Sequence, residues 1–164
     1  VPNSLNLNEK KRPVPWVITL WVPDDSDVDS FRGIKQFAGR TIGVTRDYYV
    51  PELIKSYNRV NKFLVNRDIL GLRMLDKARL AAFLGDAANT KQLVEEGDFK
   101  VRQLSPAIEI FFLNMSFQKT LIEEFKANEV AVEEMLLDGS IDQIYKKYIG
   151  LTYDELITQF SPKQ

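Results

Sequence analysis

Two apolar runs in this chain end in the same way, and that limits the folds open to it. Residues 40–44 carry Thr41-Ile42-Gly43-Val44 and pass into a polar turn, after which Pro51 opens a helical pattern. Residues 79–84 carry Leu80-Ala81-Ala82-Phe83-Leu84 and stop at Gly85-Asp86, again ahead of a helical pattern. Unbroken apolar runs of this length suit strands covered on both faces. Strands that alternate with helices pack as a mostly parallel sheet with helices on both sides. In such a sheet ligands sit outside the carboxyl ends of the strands. Helix N-termini there offer unpaired N–H groups to anions, and Asp86 adds a carboxylate in the same place. The arrangement suits a small molecule with both an anionic and a cationic group.

The remaining segments extend the alternation. Residues 1–15 are polar and bear prolines, which predicts a loop or tail. Residues 16–22 are a continuous apolar strand, and 23–27 a solvated turn. Ser30 is placed to cap a short helix over 31–37. Residues 49–60 read as a helix with Leu53, Ile54, Tyr57 and Val60 on one face. Strands are expected at 62–65, 101–104 and 108–114, and helices at 68–77 and 87–96, the latter closed by Gly97. A long helix over 117–138 should end at Gly139. Helices at 141–149 and 153–160 follow, the first ended by Gly150.

Composition removes several classes of chemistry. The chain has 164 residues and a formal net charge of −1, which gives no electrostatic case for nucleic acid or an anionic membrane as partner. It holds no cysteine and no histidine. Disulfides, thiolate nucleophiles and histidine-based metal or acid–base sites are therefore excluded. The adjacent acids Glu95-Glu96, Glu123-Glu124 and Glu133-Glu134 lie on predicted helices, where neighbours in sequence point apart and do not form a catalytic pair. No phosphate loop or dinucleotide fingerprint occurs. No cofactor and no metal is expected, and the chain does not read as an enzyme.

Four segments, in order, resemble the bacterial extracellular solute-binding proteins of family 3, the type II periplasmic binding proteins that carry polar amino acids. Residues 16–22, Trp16-Val17-Ile18-Thr19-Leu20-Trp21-Val22, look like the strand that leaves the first lobe. Residues 31–44, running from Phe31-Arg32-Gly33 to Thr41-Ile42-Gly43-Val44, are similar to the entry of the second lobe, "Lys-Gly-Lys-Thr-Ile-Gly-Val". Residues 75–86 resemble the segment ending in "Val-Ile-Gly-Asp". Residues 136–150, with Asp138-Gly139-Ser140-Ile141-Asp142-Gln143-Ile144-Tyr145-Lys146-Lys147-Tyr148-Ile149-Gly150, match the closing "Asp-Gly-Thr-Tyr-Asp-Lys-Ile-Tyr-Lys-Lys-Trp-Phe-Gly" most specifically. The resemblance implies an α/β fold: a type II periplasmic-binding-protein-like lobe, with remnant strands and C-terminal helices of the other lobe. It implies a division into 1–22 (tail and remnant first-lobe strand), 23–107 (second lobe) and 108–164 (return strand and C-terminal helices). The hinge is then expected near 21–23 and 107–114.

Two departures bear on function. Only fifteen residues precede Trp16, so the chain reads as a fragment, a truncated form or a natural variant with most of the first lobe gone. The first-lobe arginine that holds a ligand carboxylate has no counterpart; Lys10, Lys11 and Arg12 read instead as a solvated charge run. In the second lobe, the small residues that receive a ligand carboxylate are replaced by Asp47-Tyr48-Tyr49 after Thr45-Arg46. Asp47 opposes an anion, Arg46 could offset it by a bidentate contact, and Tyr48 and Tyr49 offer faces for a ring-bearing ligand. The alternative is that Asp47 caps a helix while the tyrosines pack on the lobe.

By the resemblance, Asp86 accepts the ligand's α-amino group; it can also cap the helix after it, since a carboxylate has several acceptor positions. Asn89 and Thr90 lie one turn on. The ligand-binding candidates are thus Asp86, Arg46, Asp47, Tyr48 and Tyr49. The function expected is binding of an amino-acid-like solute for an ABC-type transporter, in the periplasm or outside the cell. The alternative is a sensor or interaction module that kept the fold and lost the site. The partners expected are the small molecule, a membrane transporter or receptor, and a second copy of the chain covering apolar surface of 16–22, 108–114 and 117–138.

Overall fold

The computed structural model describes residues 4–6, 14–113 and 116–161. They divide into two compact units. One comprises 17–110 with 160–164, the other 1–16 with 111–159.

The first unit is built on a sheet ordered β4-β3-β5-β2-β6, where β2 is Val14–Pro23, β3 Thr41–Thr45, β4 Asn61–Val65, β5 Ala82–Asp86 and β6 Val101–Gln103. Strand β3 lies parallel to both β4 and β5. Strand β2 is antiparallel to β5 and to β6. Four strands therefore share one direction and β2 alone opposes them, so the sheet is mixed although mostly parallel. A further strand, β7 (Glu109–Leu113), pairs with β2. The helices α1 (Glu52–Lys55), α2 (Asp68–Asp76) and α3 (Asn89–Gly97) follow β3, β4 and β5 in turn.

Burial follows the apolar runs. Residues Val17 to Val22 are all buried, as an interior strand's apolar run allows, and the polar residue among them, Thr19, donates its hydroxyl to the Leu104 carbonyl at 2.7 Å. Trp21, Val65, Leu72, Leu75, Leu80, Phe83 and Val101 form one core between β2, β4, β5, β6 and α2. Two arginines hold the loop after β2 in place. The Arg102 guanidinium donates to the carbonyls of Val28 (2.9 Å), Ser26 (3.3 Å), Asp24 (3.4 Å) and Asp29 (3.4 Å). Arg40 makes a bidentate contact with Asp27, both bonds 2.6 Å, which holds the Asp27 carboxyl below its usual range.

The second unit contains the strand pair β1 (Ser4–Asn6) and β8 (Ser116–Gln118), which are antiparallel, and the helices α4 (Ile122–Leu137), α5 (Ser140–Ile149) and α6 (Tyr153–Phe160), the last ending in the first unit. Aromatic contacts join Phe117 to Phe125 and Tyr145 to Tyr153 edge-on.

Several elements differ from expectation for local reasons. The helix expected over 49–60 is one turn, α1. Pro51 precedes it, and beyond it the Arg59 carbonyl leaves the helix to accept the Gly39 N–H. Its apolar positions are still placed inward, with Ile54 and Val60 buried. The helix expected over 31–37 is a 3-10 turn, Ile34–Phe37, begun by Gly33 at φ 126°. Ser30 does not cap it; its hydroxyl accepts from Arg32 Nε (3.3 Å) and its carbonyl from Gln36 Nε2 (3.1 Å). Gly97 is the last helical residue of α3, and Asp98, at φ 48°, takes the left-handed position expected of it. A Cβ on Gly97 would lie 2.3 Å from the Phe99 ring, so the glycine serves close approach. The start of the helix expected over 117–138 is strand β8, and part of the expected tail is its partner β1. Gly139 (φ 79°) and Gly150 (φ 81°) do terminate α4 and α5. Lys10, Lys11, Arg12 and Asn114 lie outside the described residues.

Candidate functional site

Strands β3 and β5 are parallel neighbours, with Ile42 opposite Ala82 and Gly43 opposite Phe83. Their carboxyl ends, Thr45 and Asp86, therefore finish at one edge of one sheet. This is the placement the two apolar runs predicted.

Asp86 is half-buried there. Its Oδ1 accepts the N–H groups of Ala88 (2.8 Å) and Asn89 (2.7 Å), so it satisfies donors at the entry of α3. Its own N–H donates to Thr90 Oγ1 at 3.0 Å, and Thr90 is fully buried. The preceding Gly85 leaves room for this: a Cβ would come within 2.4 Å of the same hydroxyl. Burial pushes the Asp86 carboxyl above the usual carboxylate range. The Asn89 and Ala88 amides counter it in part, and the charge of Asp68 pushes it further up. No cation forms an ion pair with Asp86 among the described residues.

Asp68 opens α2 and accepts a hydrogen bond from the hydroxyl of the buried Thr45, the last residue of β3. Two carboxylates thus converge on the ends of adjacent parallel strands. The arrangement favours a cation. It offers little to an anion, because α1 is a single turn with proline before it and the first amides of α3 are engaged by Asp86.

The other candidates spread outward. Arg46 is exposed; its Nε donates to Asn66 Oδ1 at 3.3 Å, and its side chain lines a groove beside β4. Asp47 takes a left-handed conformation, φ 63°, in the turn after β3 and is exposed. Tyr48 is 59% exposed. The Tyr49 hydroxyl donates to Glu109 Oε2 at 2.8 Å, which raises the phenol's pKa, and Lys55 Nζ lies 5.5 Å from its ring centre. So Asp86 gathers with Asp68, Thr45 and Thr90, while Tyr49 gathers with Glu109 and Lys55. Sequence reasoning passed over Asp68 and Glu109. Asp68 carried a local signal, an acidic residue starting a helix directly after a strand; Glu109 carried none.

Among the described residues, no group of three or more Asp, Glu, His or Cys side chains gathers to hold a metal, and no helix is long and apolar enough to cross a membrane. No protein-family model and no curated protein sequence matches the chain. Solved structures do. A probable amino-acid ABC transporter extracellular-binding protein, ytmK of Bacillus subtilis, is 14% identical over 91% of this chain and 65% of its own, with a TM-score of 0.78. A chain from the glutathione import system of Streptococcus mutans, described with GshT and TcyBC, is 16% identical over 93% and 65%, with a TM-score of 0.72. The arginine-, lysine-, histidine-binding protein ArtJ of Geobacillus stearothermophilus is 18% identical over 96% and 68%, with a TM-score of 0.63. The chain thus spans about two thirds of the length of the structures it matches. At these identities the likeness is one of fold, and it agrees with the fold that the four sequence segments implied. The protein has the type II periplasmic-binding-protein-like α/β fold.

Proposed function

We propose that this chain is a solute-binding domain of the family 3 type, acting outside the cytoplasmic membrane, and that its solute is an amino acid or similar molecule with a cationic group. One observation carries the reading: Asp86, a half-buried carboxylate with no counter-ion among the described residues, stands beside Asp68 at the carboxyl edge of β3 and β5. A carboxylate kept partly dry and pushed up in pKa costs folding free energy, and a cationic ligand would remove that cost. The matched structures of amino-acid and arginine-, lysine- and histidine-binding proteins support the same class of solute. On this reading the first unit is the family's second lobe. The strands β2 and β7, along which the chain passes between units, hold the hinge. Delivery to a membrane transporter follows from the same family logic. Binding and release, rather than bond chemistry, is the reading that the matched binding proteins support.

A titration with arginine, lysine, glutamine and glutamate tests the proposal. Arginine or lysine should bind more tightly than glutamate. Asp86→Asn should lower the affinity about ten- to a hundredfold, the loss of a charge-assisted hydrogen bond. Stability should hold or rise in the same variant, since asparagine caps as well as aspartate. The sign follows from the raised pKa. A carboxyl with folded pKa above its unfolded value opposes folding when ionised, and that opposition is relieved as pH falls through the folded pKa toward the unfolded one. Stability of the parent relative to Asp86→Asn should therefore improve on acidification, while affinity for the cation weakens.

A second reading, a sensor or interaction module without amino-acid binding, is favoured by the turn after β3. Exposed Asp47 and Tyr48 stand where the family's small residues receive a carboxylate. It predicts no heat with any amino acid and no effect of Asp86→Asn.

A further inference from the structure

A second surface of the first unit is formed by β4, which β3 separates from the strand of Asp86. Strand β4 is the edge of the sheet. On its inner side the Asn61 N–H donates to the Arg40 carbonyl, and the Val65 carbonyl accepts from Arg46. By strand alternation, the N–H and C=O groups of Lys62 and Leu64 face outward, where no strand is paired among the described residues.

Natural sheets blunt such edges with lysine, proline or a covering segment. Here the lysine is withdrawn: Lys62 Nζ donates to the carbonyls of Ile54 (3.1 Å) and Lys55 (2.8 Å) at the end of α1. The edge is apolar instead, with Phe63 45% and Leu64 54% exposed, and Leu70 of α2 38% exposed beside them. Between β4 and α2 runs a groove of about 410 Å³ lined by Arg46, Arg73, Lys77 and Arg79, with no carboxylate in its lining. None of these four cations forms an ion pair among the described residues. In a chain of net charge −1 this is a local concentration of positive charge beside an open strand edge.

We infer that the β4 edge and its basic groove bind an extended acidic protein segment that carries apolar side chains, added to the sheet as a further strand. The main chain would pair with Lys62 and Leu64, alternate apolar residues would cover Phe63 and Leu70, and carboxylates would meet the groove cations. Strand addition of this kind takes affinity from backbone pairing and specificity from alternate side chains. Charge decides against a second copy of this chain. Edge-to-edge pairing of two β4 strands would bring two sets of four cations together, and like charges face to face cost several kcal/mol. The apolar edge and its peptide groups argue against a polynucleotide, which has no strand to add.

The test uses a short labelled peptide alternating glutamate with valine and leucine, its lysine-for-glutamate counterpart, and a single-stranded oligonucleotide of equal charge. The acidic peptide should bind, weaken as salt rises, and slow hydrogen exchange at Lys62 and Leu64. Arg73→Glu with Lys77→Glu should lower its affinity about tenfold or more. Both residues are exposed, so thermal melting should hold, and solute titration should be unaffected because neither residue is among the partners of Asp86, which are Ala88, Asn89, Thr90 and Asp68. Equal binding of both peptides, equal or tighter binding of the oligonucleotide, or unchanged exchange along β4 would overturn the inference. So would a salt-resistant dimer in sedimentation with β4 protected without peptide.

Discussion

The two units of this protein hold their apolar side chains in opposite ways. In the first, Val17 to Val22 of β2 and Ala82 to Leu84 of β5 are buried in unbroken runs, and Phe83, Leu72 and Leu75 are fully enclosed. In the second, the sixteen residues of α4 bury only Val132, and α5 buries only Ile141. Leu137 is 83% and Tyr148 74% exposed. A sheet with helices packed upon it encloses its side chains within one unit, whereas α4, packed on α5 and on the short strand β8, has little surface to enclose it. The first unit should therefore carry the cooperative stability, and the second should open more readily.

Phe83→Ala gives the largest expected effect. The ring is fully enclosed and lies against Gly43 and Gly71, where a Cβ would meet it at 3.0 Å and 2.2 Å. Its loss should destabilise by about 3–5 kcal/mol in denaturant unfolding. A cost under about 1 kcal/mol would mean that the core is not where the fold's stability resides. Arg102→Ala comes next. It removes charged donors from the carbonyls of Asp24, Ser26, Val28 and Asp29. A loss of roughly 1.5–3 kcal/mol is expected, with hydrogen exchange accelerated in 24–29. Leu137→Ser should change stability by less than about 0.5 kcal/mol, as an exposed position in the sparsely packed unit. A larger loss would show that α4 is packed in solution and would remove the contrast between the units.

Legibility in the sequence divided along similar lines. Thr41-Ile42-Gly43-Val44 and Leu80 to Leu84 announced buried strands because covered strands need apolar residues at every position. The glycines at 139 and 150 announced helix ends because left-handed geometry costs glycine little. The site was half legible. Asp86 stood out as a candidate from its place at the end of a strand, but Asp68, which perturbs it, did not, since the meeting of α2 with the end of β5 depends on how β4 and β5 flank β3. Arg46 was placed beside Asp86 by sequence position, and the structure turns its side chain toward Asn66.

What the sequence determined by itself was local: which runs are strands, where helices stop, and that no histidine or cysteine chemistry is available. The tertiary structure alone decided that β2 runs against its neighbours between β5 and β6, that Ser4–Asn6 pairs with Ser116–Gln118, and that Thr90 is buried under the Asp86 N–H. The reason is the range of the forces involved. Backbone preferences and apolar periodicity act over a few neighbouring residues. Strand pairing and the field around a carboxylate are set by segments remote in sequence, brought together only when the chain buries its apolar surface.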